Sequence, residues 1–408
     1  MPPLRTLSCL SIAALSLSIL VVRAEADWPQ WRGTNRDAHA PDGKWPTSLG
    51  EEHLQLSWRK ELGPSYSGPI VVGDRVFTTE TRGEKTEVAS AYDRNTGEKL
   101  WELEWPGAMQ VPFFAASNGS WIRATPACDG QTLSVVGMLD VLVAIDVESG
   151  EELWRVDFPA ELSVEPPQFG AASSPLLHEG SLYAQMGHSI VKVDAQTGKT
   201  IWRIADKSGD AFSSPWIGSV AGEQLLVVQA REELLGIAPD SGQVRWSQPI
   251  QAYRGMNIMT PTVYEDQFFT SAHSGRSQLW QVTEGADPTL DERWSNSAQA
   301  YMSSPVVVGD YLYMHLKNER LQCVDLRTGE EAWRSRPEGK YQSLVVVGGN
   351  VLALRSDGEL ILFRATPEAF EVLDRRKVAN DETWAHLAVC DGKIFVRELN
   401  ALAVYDWK

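Results

Sequence analysis

The chain has 408 residues, 43% of them hydrophobic and 22% charged, with a formal net charge of −17 at pH 7. Such hydrophobic content builds a globular core rather than a disordered polyelectrolyte. The negative charge repels phosphate backbones and anionic lipid, which excludes nucleic acid and peripheral membrane surfaces as partners.

The first predicted element is a targeting segment. Arg5 supplies positive charge, Leu7 to Val22 is apolar apart from small hydroxyl residues and one cysteine, and Ala24-Glu25-Ala26 fits a small-x-small cleavage pattern. Residues 1–26 therefore read as a removed signal peptide, with the mature chain starting near Asp27. The apolar stretch is too short for a transmembrane span, so no membrane segment is expected after cleavage. A lipid anchor would use Cys9, but no apolar region precedes it. Residues 27–53 form a leader, and Leu54 to Arg59 reads as a strand carrying Trp58.

From residue 67 a unit recurs. Each copy opens with a small residue before proline and a Val-rich strand, as in Ser67-Gly68-Pro69 and Ser303-Ser304-Pro305. Such continuous apolar runs suit an inner strand buried on both faces. Gly-Asp or a similar pair turns the chain into a second strand. A third strand ends in aspartate, then Thr/Ser-Gly, then tryptophan four residues after the glycine. The copies are Asp93 to Trp101, Asp146 to Trp154, Asp194 to Trp202, Asp325 to Trp333 and a weaker one from Asp240 to Trp246. The aspartate accepts backbone N–H groups across its turn, the glycine takes a left-handed conformation, and the indole wedges between neighbouring units.

Neighbouring tryptophans stand roughly 40–50 residues apart, the period of a four-stranded propeller blade. Inner strands begin after Pro69, Pro126, Pro175, Pro215, Pro261 and Pro305, and at the degenerate Ser343-Leu344 and His386-Leu387. This predicts an all-β, eight-bladed propeller of four-stranded antiparallel blades over residues 54–408; seven is the alternative count. The last unit lacks an outer strand, which the N-terminal strand 54–61 supplies, closing the ring. Cys128, Cys323 and Cys390 fall in three different blades and read as buried free thiols.

These residues resemble the PQQ-repeat propellers, the superfamily of the quinoprotein alcohol dehydrogenases and of BamB-like assembly factors. The Ser-Ser-Pro and Asp-x-x-Thr-Gly-x-x-x-Trp elements carry the resemblance, together with the leader Asp27-Trp28-Pro29-Gln30-Trp31-Arg32-Gly33. The dehydrogenase branch would imply an adjacent cysteine pair beneath a quinone and a calcium or lanthanide ion beside a catalytic aspartate. This chain has no Cys-Cys and no corresponding acidic set. The expectation is an exported, monomeric, non-catalytic scaffold with no cofactor, in the periplasm or cell-envelope space or secreted. A PQQ- and Ca²⁺-dependent dehydrogenase of alcohols or sugars is the alternative.

A protein or small-molecule ligand is expected on the face that carries the connections from the outer strand of one blade to the inner strand of the next, together with the turns between second and third strands. Its longest connections run over residues 106–123, 158–172 and 249–257. Phe113, Phe114 and Trp121 are the candidate aromatic anchors. Arg123, His188, Arg254, Asn257, His273 and His386 are the candidate polar groups, suited to an anionic group or a peptide carboxylate. No catalytic residue and no metal ligand is assigned.

Overall fold

A computed structural model describes residues 27–205, 212–283, 285 and 287–408. The signal-peptide reading and Cys9 lie outside these residues. The described residues form eight four-stranded antiparallel sheets arranged as a propeller. In blade 1 the strands A to D, from axis to rim, are Ile70–Val72, Arg75–Arg82, Thr86–Asp93 and Lys99–Pro106. Blade 8 joins Ala388–Cys390, Lys393–Glu398 and Ala401–Trp407 to Leu54–Glu61 as its outer strand. The closing register runs from Leu54 opposite Trp407 to Glu61 opposite Ala401. Strands B and C are buried along most of their length, and D is half-exposed, as in Glu152–Asp157. Cys128, Cys323 and Cys390 are buried and form no disulfide among the described residues. No helix among the described residues is long and apolar enough to cross a membrane.

The turn before each outer strand works as its residues suggest. Asp93 Oδ1 accepts from Asn95 N and Thr96 N at 3.0 and 2.7 Å, and Asp146 Oδ1 accepts from Ser149 N at 2.8 Å. Those bonds hold both carboxylates below the usual range. The indoles cross to the next blade: Trp58 Nε1 donates to Arg94 O, Trp101 to Val147 O and Trp202 to Pro239 O, at 3.0, 2.8 and 2.9 Å.

The turn glycine has a second task. A Cβ on Gly150 would lie 2.6 Å from the Trp101 ring, and one on Gly97 2.6 Å from Trp58. Each glycine is thus the seat of the preceding blade's tryptophan. Trp246 differs: its Nε1 is buried without a partner among the described residues. The next blade has Glu284-Gly285-Ala286-Asp287-Pro288 where blades 1–4 and 6 have the Asp-to-Gly turn.

Two features of the inner wall shape the axis. At the entrances to blades 2, 3, 4 and 6 the hydroxyl before strand A accepts a backbone N–H from the preceding blade. Gly68 N donates to Thr125 Oγ1, Thr125 N to Ser174 Oγ, Ser174 N to Ser214 Oγ and Thr260 N to Ser304 Oγ, all at 2.9–3.0 Å. This belt explains the small hydroxyl residue before proline in the repeat. The second feature is the segment from Trp28 to Ala40, which crosses the channel. Trp28 pairs with Val71 and Ala40 N donates to Val346 O. Arg32 donates to Pro305 O at 2.5 Å, and Arg36 to Pro175 O and Ser174 O at 2.9 and 3.2 Å. Both guanidiniums are buried, which pulls their pKa down to about 10 and about 9. Opposite sides of the ring are thereby tied through one loop.

Candidate functional site

The channel opens as a funnel of about 940 Å³ on the face carrying the D-to-A connections and B–C turns. Its floor is Trp31, whose Nε1 donates to Thr260 Oγ1 at 3.1 Å. His386 meets the Trp31 ring edge-on at 5.0 Å and stacks on Trp28 at 6.4 Å. The walls come from residues just before the inner strands, Ser174, Ser214, Thr260 and Ser304 among them, and from the connections between blades, above all the three long ones. Each long connection contains a short helical turn: Phe113–Asn118, Phe158–Leu162 and Tyr253–Gly255. The second is capped by Asp157, whose side chain accepts from Ala160 N at 3.0 Å.

One wall is an aromatic ladder. Phe113 meets Phe114 at 5.8 Å, Phe114 meets Phe169 at 6.1 Å and Phe169 meets Phe212 at 6.3 Å. Across from it Tyr341 lies parallel on Trp384 at 4.3 Å, and Tyr66 meets Trp384 edge-on at 4.9 Å. Tyr66 donates to Glu382 at 2.9 Å. Phe113, Phe114 and Tyr253 are 91%, 61% and 49% exposed, so apolar surface continues from the wall onto the rim.

The sequence-derived polar candidates part into two groups. Arg123, Arg254 and His386 line the funnel, as does Phe114. Arg123 Nε and Nη2 donate to Trp121 O and Gly119 O at 3.2 and 3.0 Å. Burial lowers its pKa to about 10. Arg254 lies over the ring of Tyr253 at 5.3 Å. His386 is buried, and desolvation drives its pKa down to about 3 with the Arg32 charge adding to the effect. It is therefore a neutral wall, not a charge reader.

Asn257, His188 and His273 do not line the funnel. Asn257 is buried and its amide donates to Ala230 O and Arg231 O at 3.3 and 3.0 Å, which fastens the third connection to blade 4. His188 is tied to Glu165 O at 3.1 Å. His273 is packed between Tyr253 and Tyr301 at 5.5 and 4.9 Å, and desolvation lowers its pKa. Trp121 is half-buried behind the rim. Trp31, Tyr66, Phe169, Phe212, Tyr301 and Trp384 escaped the sequence reading, whereas Arg231 lies at a B–C turn on the face where that reading placed the polar groups. Each of these aromatics is a single residue in a different connection or in the leader, and no period marks it. The signal within reach was Trp31 in the leader motif.

Among the described residues the ionisable groups lining the funnel are Arg123, Arg231, Arg254, Glu232 and His386, with tyrosines. No three His, Cys, Asp or Glu side chains are grouped to hold a metal ion among them.

The family model described as outer membrane protein assembly factor BamB matches residues 84–335. The BamB of Shewanella oneidensis is 22% identical over 378 residues, covering 88% of this chain and 86% of that protein. The polyvinylalcohol dehydrogenase of a Sphingopyxis species is 24% identical over 243 residues, covering 49% of this chain and 36% of that protein. Among solved structures, BamB from Moraxella catarrhalis superposes with a TM-score of 0.65 at 14% identity, covering 86% of this chain and 99% of that one. The family match spans more than half of the sequence, and the chain belongs to the family of the outer membrane protein assembly factor BamB.

Proposed function

We propose that the protein is a non-catalytic propeller that binds a partner protein through its funnel face, in the exported, cell-envelope compartment. The observation that carries this reading is the continuity of apolar surface from the funnel wall to the rim, through Phe114 to the 91%-exposed Phe113. A hydrophobic patch of this kind is costly on a surface that nothing covers. Buried aromatics also dominate interface energy once covered. Membership in a family described as an assembly factor supports the same reading.

The funnel does not fit a calcium-borne quinone. Calcium takes about six to eight oxygen ligands, carboxylates prominent among them, whereas Glu232 is the single carboxylate among the described lining residues.

The test is site-specific photocrosslinking in the native host. A photoreactive residue at Phe114 should capture a discrete partner, whereas one at Glu265, on the opposite A–B turn face, should not. Capture from Glu265 alone, or PQQ-dependent alcohol oxidation by the purified protein, refutes the proposal.

A further inference from the structure

The charge inside the funnel is opposite to that of the protein. The chain carries a net −17, yet the described funnel lining holds three arginines against one carboxylate, with His386 neutral. Arg123, Arg231 and Arg254 form no ion pair among the described residues. Their protein hydrogen bonds go to carbonyls: Arg123 to Trp121 O and Gly119 O, and Arg231 to Arg254 O at 3.0 Å. Guanidinium groups confined in this way keep further N–H donors for planar acceptors. The aromatic ladder lines the same funnel, with Phe114 and Phe169 6.1 Å apart.

We infer that the funnel receives an acidic peptide segment of the partner, one that carries aromatic or large aliphatic side chains next to Asp or Glu. This rests on the partner-face reading and specifies its chemistry. Aromatic or aliphatic side chains would cover the ladder while the neighbouring carboxylates meet Arg123, Arg231 and Arg254. A small anionic molecule could satisfy the arginines from inside the funnel. It would leave the rim at Phe113 and Tyr253 bare, 91% and 49% exposed as they are. A peptide running out of the funnel covers both. The acidic outer surface of the propeller repels the same segment elsewhere, so the funnel arginines set orientation as well as attraction.

The experiment is fluorescence anisotropy with the full chain and a fluorescein-labelled hexapeptide, Gly-Phe-Asp-Phe-Asp-Gly, beside versions with Asn or Lys in place of Asp. The acidic peptide should bind at least about tenfold more tightly than the Asn version and far more tightly than the Lys version. Its affinity should fall as salt rises from about 50 to about 300 mM, where the screening length shortens to about 6 Å. Arg254→Glu, on an exposed loop, should weaken the acidic peptide about tenfold or more and improve the Lys version, an inversion that misfolding would not produce. Phe114→Ala should weaken all three. Equal binding of the acidic and Asn peptides, or no binding of any, overturns the inference; crosslinking from Phe114 would still uphold the partner face. Competition by N-acetylphenylalanine at the same concentration as the hexapeptide also overturns it, because the rim then plays no part.

Discussion

Replacing Gly150 with alanine tests how the blades hold one another. The residue sits at φ +74° in the turn of blade 2, and a Cβ there would lie 2.6 Å from Cγ of Trp101 in blade 1. Two costs follow. A side chain in the left-handed region costs about 1–2 kcal/mol. Displacing a packed indole adds about 1–3 kcal/mol, for a total of about 2–5 kcal/mol. Gly73 provides the control: its φ is +56°, and nothing lies within 4 Å of a Cβ built there. Gly73→Ala therefore bears only the backbone cost, about 1–2 kcal/mol. Denaturant melts followed by tryptophan fluorescence measure both, at constant slope. The decisive comparison is a double-mutant cycle with Trp101→Ala. In that background the seat is empty, so Gly150→Ala should cost no more than Gly73→Ala. Equal midpoints for the two glycine variants in the wild-type background, or strict additivity in the cycle, would refute the seat.

Four further outcomes are expected. Trp154→Ala should cost about 3–5 kcal/mol in the same melts, since it loses both its packing and its bond to Ala195 O at 3.1 Å. Arg36→Ala should cost about 2–4 kcal/mol by leaving the Pro175 and Ser174 carbonyls without their donor. Phe113→Ala should change stability by less than about 0.5 kcal/mol, because that side chain is 91% exposed. Burial raises the Glu87 carboxyl from 4.5 to about 7, although Trp105 Nε1 and Met138 N both donate to it. A raised folded pKa means a stabilising contribution present in full below the unfolded value and lost as pH rises through about 7. Melting temperature measured against pH should show that slope, and Glu87→Gln should flatten it across the same window.

What could be read from the sequence followed from periodicity. The aspartate, glycine and tryptophan repeat in blades 1–4 and 6 because these blades receive their neighbour's indole in the same way. They therefore announce both the ring and its closure through Trp58. The hydroxyl belt was visible only as composition: a serine before proline signals a strand entrance, but its bond to the next blade requires the ring to exist. The second role of Gly97 and Gly150 was hidden similarly, since the indole that each seats lies in the preceding blade. The site was legible where a whole connection was unusual, as with the apolar run around Phe113 and Phe114. Single residues were harder to place. Asn257 and Arg123 both stand just before an inner strand, yet one is consumed by carbonyls and the other lines the funnel. Local sequence does not separate them, because the difference lies in the fold of loops from separate blades.

The closing sheet has a mechanical consequence. Leu54 is paired with Trp407, and the register then runs inward to Glu61 opposite Ala401. The closing sheet thus starts and finishes at one pair of facing residues, with the channel-crossing segment lying ahead of it in the chain. A load pulling Leu54 and Trp407 apart acts across the strands at their terminal rung and peels the pairs one after another, as a zipper opens. A load applied between two rim turns of other blades would have to shear several strands at once. A tether on the N-terminal side must first detach the channel-crossing segment, held by Trp28 on Val71 and by Arg32 and Arg36 on Pro305 and Pro175, so the fastening that keeps the ring shut is shielded on that side and bears load directly on the other.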